Sequence, residues 1–438
     1  MNNSSWAQSP PSTLLLERGP SSAPQIRTSI LYVHMCGSFN GSSRSLLEMI
    51  RAFPSEGVQA HLVTPKGDVA ELFRKEGIPV IECAGISQFD HTRYGYYRGR
   101  RWLVLFREIY YLFPTLLALL RAKARWFSID LVHVNEMTAL PAVVLAKLVF
   151  RKPLILHVRS VQQTTNGRWR TRWIRSIVRR FCDAVVAIDD TVRQSLPEGV
   201  DAQIVHNGFS TLRGREAEAP VDPRLRADRD SAIRVGMVGH LLALKGVYEF
   251  IEAARLCKER KIAVKFILVG EGNRDLSGLR GALFRKFGFA REVRRDVEKL
   301  VQRYELQDNV LLIGFTLNIR AVYENIDVIC FPSHLDAVGR PVFEAAFFGV
   351  PSIVAITNPR SDTFIHRETG LCIEPQNPHA LADAIEYFYS HPQEIKRMGG
   401  AARKLAAEQF RIDNTAKRVL EIYKETSVTR LPAFFESK

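Results

Sequence analysis

SHLDAVGRPVFEA, running from Ser333 to Ala345, is the stretch on which the reading of this 438-residue chain turns. Asp336 and Glu344 stand eight residues apart, too far to be neighbours on one helical turn. Gly339 and Pro341 lie between them, which places Asp336 in a loop and Glu344 inside a helix. Pro341 suits the first helical position, where a missing amide hydrogen costs nothing. The amides of Gly339, Arg340 and Val342 could then face an anion, with Glu344 one turn further in. A carboxylate there can accept hydrogen bonds from vicinal hydroxyls, as a ribose offers. A glutamate that merely complements the helix dipole explains Glu344 alone, but not the whole string.

Upstream, VGMVGHLLALKG (Val235–Gly246) reads as a strand, a glycine turn at Gly239 and a helix start. It puts His240 and Lys245 where the strand exits. Lysine is a compact cation suited to a diphosphate; a solvated lysine beside a helix cap is the alternative. The first half opens in the same way. Ile30–Val33 is followed by GSFNGSS (Gly37–Ser43), whose glycines Gly37 and Gly41 and following helix fit either a phosphate-binding turn or a plain strand-to-helix turn.

Between these points short apolar runs alternate with longer helical patterns. Strands are expected at 60–63, 80–81, 131–134, 154–158, 184–188, 204–205, 264–269, 310–313, 328–331 and 352–355. Continuous apolar strands separated by helices indicate a parallel sheet covered on both faces. The pattern lapses once, over the polar and proline-containing 211–231, which reads as a linker. The fold expected is α/β: two doubly wound Rossmann-like domains, 28–210 and 232–410, facing a cleft. A C-terminal helix at about 411–427 is expected to pack back on the first, and 1–27 to be a disordered tail. Ligands of open α/β sheets sit outside the carboxyl ends of the strands, so the cleft is the expected site.

The order and spacing of Ser333, Asp336, Gly339, Pro341, Glu344 and Ala345 resemble the donor site of the retaining family-four glycosyltransferases with the GT-B fold, S-x-x-E-x-x-G-x-P-x-x-E-A. Collinear pieces fit the same family: DLVHVN (Asp130–Asn135), LHVR (Leu156–Arg159), DAVVAI (Asp183–Ile188), VHNG (Val205–Gly208, with Asn207), Lys245-Gly246, FILVGEG (Phe266–Gly272) and ETGLCIEP (Glu368–Pro375). The resemblance implies a nucleotide-sugar donor, and Lys245 with His240 as the cations on its diphosphate. It implies Glu344 on the ribose, and Asp336 and His157 on the transferred sugar. Gly37, Gly41, Asn207, Gly239, Gly339 and Arg340 would line the donor. No cofactor and no metal are implied. The chain departs from the family at Asp336 (usually Glu), at His240 (usually Arg), at Asn358-Pro359 (often Gly-Gly) and at Asp362 (frequently Glu).

The chain carries 61 Lys+Arg against 46 Asp+Glu, a net charge of +15 that favours anionic partners. From Arg93 to Arg125 there are eight Arg/Lys against one acid, and from Arg151 to Arg180 nine and none, interleaved with Trp and Tyr. Such segments suit an anionic membrane surface; a solvated basic face over an aromatic core is the alternative. No nucleic-acid module is recognisable. Leu103–Leu120, interrupted by Arg107, Glu108 and Pro114, falls short of a clean span. The six scattered cysteines suggest buried thiols in a reducing compartment. The expectation is therefore a cytoplasmic enzyme peripheral to the inner leaflet, passing a sugar to a lipid-linked or oligosaccharide acceptor. A nucleotide-sugar epimerase of the same fold and a non-catalytic donor-binding scaffold are the competing readings.

Overall fold

Short aliphatic runs, buried on both faces, form two parallel sheets. The structure, a computed structural model, describes residues 27–428 apart from 55–56, 94, 96, 98, 164–168, 212–219, 221, 227–231 and 273–292. The expected tail and most of the expected linker therefore lie outside the described residues.

The first sheet comprises β1 (Thr28–Val33), β2 (Val58–Pro65), β3 (Val80–Cys83), β4 (Leu131–Val134), β5 (Leu154–Val158), β6 (Ala184–Ala187) and β7 (Gln203–Ile204), in the order β3-β2-β1-β4-β5-β6-β7. Its helices are α1 (Gly41–Arg51), α2 (Asp68–Lys75), α3 (Val104–Arg125), α4 (Leu140–Phe150), α5 (Trp169–Phe181) and α6 (Asp190–Gln194). Alternate residues of β1 serve opposite faces: Ile30 and Tyr32 join one core cluster, Leu31 and Val33 the other. Each strand consequently reads as unbroken apolar sequence rather than as an alternation.

The second half repeats the plan with β8 (Ile233–Val238), α7 (Val247–Glu259), β9 (Val264–Val269), α8 (Val293–Arg303), β10 (Val310–Ile313), α9 (Ile319–Tyr323), β11 (Val328–Phe331), α10 (Arg340–Ala346), β12 (Ser352–Ala355) and β13 (Gly370–Ile373). The sheet order is β10-β9-β8-β11-β12-β13, and every pairing is parallel. α11 (Pro378–Ser390) and α12 (Pro392–Gln409) follow, and α13 (Ile412–Val428) then returns to the first half. Ala416, Val419, Ile422 and Tyr423 of α13 join the cluster built on β1, β2 and α1.

Both sheets reverse strand order beside their first strand, at β1/β4 and at β8/β11. These switch points open a crevice at the carboxyl ends of the strands. The loops after β1 (34–40), β8 (239–246) and β11 (332–339) all leave from such points.

Two elements differ from expectation. β13 was not foreseen, because GLCI is short and follows a polar turn. All but the first residue of Leu103–Leu120 belongs to α3, which is long and apolar enough to cross a membrane by length and composition, yet lies with one face against α4. Only 22% of its most apolar window is buried.

Candidate functional site

The donor-side loop is assembled around Phe331, the last residue of β11. Gly246 has φ +80, and a Cβ there would meet the Pro332 carbonyl oxygen at 1.9 Å, so this glycine lets the 243–245 turn press against the loop leaving β11. The Ser333 hydroxyl and the His334 amide both donate to the Leu244 carbonyl, at 3.2 and 3.0 Å. Lys245 is thereby held with its Nζ 5.2 Å above the Phe331 ring. The same ring forbids any side chain at Gly339, whose Cβ would lie 2.2 Å from it. Burial pushes the Lys245 ammonium down to about 8, and no carboxylate among the described residues pairs with it. Gly239 (φ +143) and His240 are exposed, and a Cβ at Gly239 would meet nothing within 4 Å. A partly desolvated cation that is unpaired among the described residues has the electrostatics to take up an anion.

Glu344 lies in α10 with 3% of its surface exposed. Its carboxylate accepts from Arg340 Nε at 2.8 Å and from the Tyr323 hydroxyl at 2.8 Å. Burial raises its pKa, but the charges of Arg340 and Arg44 together with these bonds outweigh that and hold it below the ordinary carboxylate range. Asp336 adopts φ +50. Its Oδ1 accepts from the Thr357 amide and hydroxyl, both at 2.8 Å, and its Oδ2 from Arg93 Nη1 at 3.1 Å. Burial pushes this carboxyl up, but Thr357 and Arg93 prevail and hold it down.

Opposite stands a buried polar chain. The Tyr32 and Tyr423 hydroxyls are 3.1 Å apart, Tyr423 lies 2.8 Å from His133 Nδ1, and His133 Nε2 lies 3.3 Å from His157 Nδ1. His157 Nε2 is buried and has no hydrogen-bond partner among the described residues. Burial first, and the Arg159 charge second, keep His157 neutral far below the usual histidine range. Arg159 donates to Asn135 Oδ1 at 2.6 Å and also to Asn207 Oδ1. Burial, and Arg340 nearby, bring its pKa down to about 9 although Glu136 opposes them.

Side chains of the two halves meet across the cleft. Arg340 donates to Ser45 Oγ at 2.6 Å and to Glu48 Oε2 at 2.7 Å, both on α1, and its Cδ lies 3.5 Å from where a Gly41 Cβ would be. Arg93 reaches Asp336. Beside them Asp362 accepts from the Asp190 amide at 2.9 Å and lies 3.0 Å from His206 Nε2.

The fold thus gathers Lys245, His240, Gly239, Asp336, Gly339, Arg340 and Glu344 at the carboxyl ends of the adjacent strands β8 and β11, and His157 and Asn207 around Arg159. One detail corrects the reading of the string. The Val342 amide donates to the Gly339 carbonyl at 3.0 Å, so helix formation has already claimed it for α10 and it does not face an anion. Gly37 is required by packing: a Cβ there would strike the Lys66 carbonyl at 2.2 Å. Sequence reasoning missed Arg93, Thr357, Tyr323 and Arg159. Arg159 sat inside the quoted LHVR piece and was the one with a local signal; Arg93 was counted among basic residues with no sign of a partner 243 positions away.

A doubly wound pair with its polar groups at the two switch points is the architecture of a GT-B transferase. Comparison with known proteins agrees. The profile of group 1 glycosyl transferases matches residues 225–405, and that of glycosyltransferase family 4 matches 39–213. The chain belongs to the family-four glycosyltransferases of the GT-B fold. It is 24% identical over 263 residues to an alpha-D-kanosaminyltransferase of Streptomyces kanamyceticus, covering 58% of this chain and 63% of that one. It is 20% identical over 280 residues to a capsular polysaccharide biosynthesis glycosyltransferase of Staphylococcus aureus, covering 61% and 69%. The matches thus span about two thirds of these relatives' length. Among solved structures, Anabaena HepE in complex with UDP and glucose superposes with a TM-score of 0.68 at 18% identity, over 91% of this chain and 100% of that one. Sucrose-phosphate synthase from Thermosynechococcus elongatus gives 0.69 at 20% identity, over 92% and 100%.

Proposed function

We propose that this glycosyltransferase moves a sugar, with retention at the anomeric carbon, from a UDP- or GDP-sugar to a lipid-linked or oligosaccharide acceptor in surface-polysaccharide synthesis, without a metal. The observation that carries the reading is Lys245: a half-buried ammonium, brought down to about 8, with no carboxylate partner among the described residues, in the loop that begins at the exposed Gly239. A diphosphate would restore its charge balance. As the bond from the anomeric carbon to the diphosphate oxygen breaks, negative charge gathers on the leaving phosphate, where Lys245 and the exposed His240 stabilise it. Glu344, held ionised, accepts from the ribose hydroxyls. Asp336 orients the sugar, and neutral His157 offers Nε2 to a sugar hydroxyl. The UDP in HepE and the polysaccharide role of the Staphylococcus aureus relative favour this donor and this acceptor class. Incubation of purified protein with a panel of UDP- and GDP-sugars, followed by nucleotide release and by the anomeric configuration of the product, tests it. Donor binding with no turnover of any sugar would favour the scaffold reading instead.

We propose further that the acceptor side docks on the anionic cytoplasmic leaflet. Phe106, Tyr110 and Phe113 of α3 are 66–72% exposed, and Arg107, Arg121, Arg172 and Arg179 are exposed on α3 and α5. Aromatic rings at headgroup depth and cations against anionic lipid would hold the first domain on a membrane surface. Flotation with anionic liposomes at low salt is the test; protein left entirely in the soluble fraction would remove the idea.

A further inference from the structure

A cavity of about 300 Å³ opens between α3, α4 and α5, away from the donor loop, and none of the roles above uses it. Its walls include Ile109 and Leu112 of α3, Val144 and Leu145 of α4, Trp173 of α5 and, at its inner end, Ser87, Gln88 and the buried Glu108, whose carboxylate is already engaged by the Gln88 amide at 2.8 Å. The volume is at the lower end of ligand sites, and apart from Ser87, Gln88 and Glu108 the lining is apolar. Ile109 and Trp173 are 55% and 42% exposed, so the mouth lies on the aromatic face of α3 with exposed cations around it.

The inner end points toward the chemistry. The Gln88 side-chain amide donates to the Met35 carbonyl at 3.4 Å, in the loop that follows β1. Phe89, which packs on Trp173 with ring centroids 5.0 Å apart, lies against the same core cluster as Met35 and as Ala337 of the donor loop. The segment continues to Arg93, which bonds Asp336. Arg93 is four positions after Phe89, so the Cα atoms at the two ends are at most roughly 14 Å apart. An apolar groove therefore starts at the aromatic, basic face and ends within a few residues of the sugar-handling carboxylate.

We propose that this groove holds the hydrocarbon chain of the acceptor lipid, with the chain's phosphate end lying along 88–93 toward the donor loop. A single occupant accounts for the apolar lining, the exposed aromatic mouth, the surrounding cations and the direction of the inner end. A peptide or a second protein chain would need backbone hydrogen-bond partners that an apolar wall does not offer. The inference rests on the membrane-facing transferase reading, and deepens it by giving the acceptor a lipid tail with its own site.

The test titrates octyl, dodecyl and farnesyl phosphate, each below its micelle concentration, into the full chain and follows binding by calorimetry. Affinity is expected to tighten with chain length, by roughly threefold to fourfold for each methylene that enters the groove. Val144→Trp, at a half-buried position on the wall, is expected to weaken farnesyl phosphate at least tenfold. Its melting temperature, its nucleotide release from the donor and its liposome flotation should stay as in the wild type. Binding independent of chain length, or farnesyl phosphate affinity unchanged in Val144→Trp, would overturn the proposal. So would a loss of flotation equal to the loss of probe binding, because the groove would then hold bulk membrane lipid. If Val144→Trp melts early, Ile109→Trp at the exposed mouth is held to the same criteria. Chain-length-dependent binding without flotation would sink the membrane-surface reading and leave the groove standing; flotation without it would do the reverse.

Discussion

Lys245 is the residue whose electrostatics commit it most clearly. Its pKa falls because burial penalises the charged form, and a diphosphate would reverse that penalty. The protonated fraction of the free enzyme declines as pH rises through about 8, and a bound diphosphate raises the pKa again. The expected outcome is that kcat/KM for the donor falls above pH 8 while kcat is less affected; steady-state rates from pH 6 to 9.5 check it. The two carboxylates are expected to separate by what they touch. Glu344→Ala should weaken UDP or GDP itself, roughly 10-fold to 100-fold for the loss of hydrogen bonds to a charged acceptor. Asp336→Ala should leave nucleotide affinity within about twofold and lower sugar transfer; calorimetry against kinetics distinguishes them. The string Ser333–Ala345 made both carboxylates legible, and their roles rest on the family likeness. What the string could not show is that Arg93 and Thr357 already engage Asp336, since both lie outside it and meet it only through the fold.

At the scale of elements, the strands were legible because a parallel sheet buried on both faces demands unbroken apolar runs. Helix boundaries were close for the same reason that caps are local: Asn40 accepts from the Ser42 and Ser43 amides, and its own amide is bonded by the Ser43 hydroxyl. α3 was harder. A helix that lays one face on α4 and leaves the other exposed looks, in sequence, much like a poor membrane span. α13 is joined to the first sheet by more than apolar packing, because Tyr423 links Tyr32 to His133 and so to His157. Tyr423→Phe would strand a buried ring nitrogen of His133 and the Tyr32 hydroxyl. It is expected to destabilise the protein by about 1–3 kcal/mol, read as a lower denaturation midpoint with an unchanged slope.

Across the whole molecule, the halves are joined by the buried Arg340 clasp on Ser45, Glu48 and Glu344, with Arg93–Asp336 and His206–Asp362 beside it. Burial alone would weaken the Arg340 charge, but Glu48 and Glu344 raise its pKa above the ordinary value. Arg340→Met leaves Glu48 and Glu344 close together with only Arg44 to offset their charge. It is expected to cost about 3–5 kcal/mol of stability, measured by denaturant unfolding, and Glu48→Gln in the same chain should recover part of it. This clasp was not legible, because an arginine inside a donor motif carries no mark of a partner nearly three hundred residues earlier. The two-domain plan was legible, because its rhythm repeats. The central claim is that the cleft activates a nucleotide-sugar through Lys245. Nucleotide release from a panel of UDP- and GDP-sugars, compared between the wild type and Lys245→Ala, tests it most directly. The account predicts release from at least one donor and a loss of roughly 10²–10³ in the variant with its circular dichroism unchanged. Equal rates in the two proteins, or no donor bound or turned over by the wild type, would contradict it.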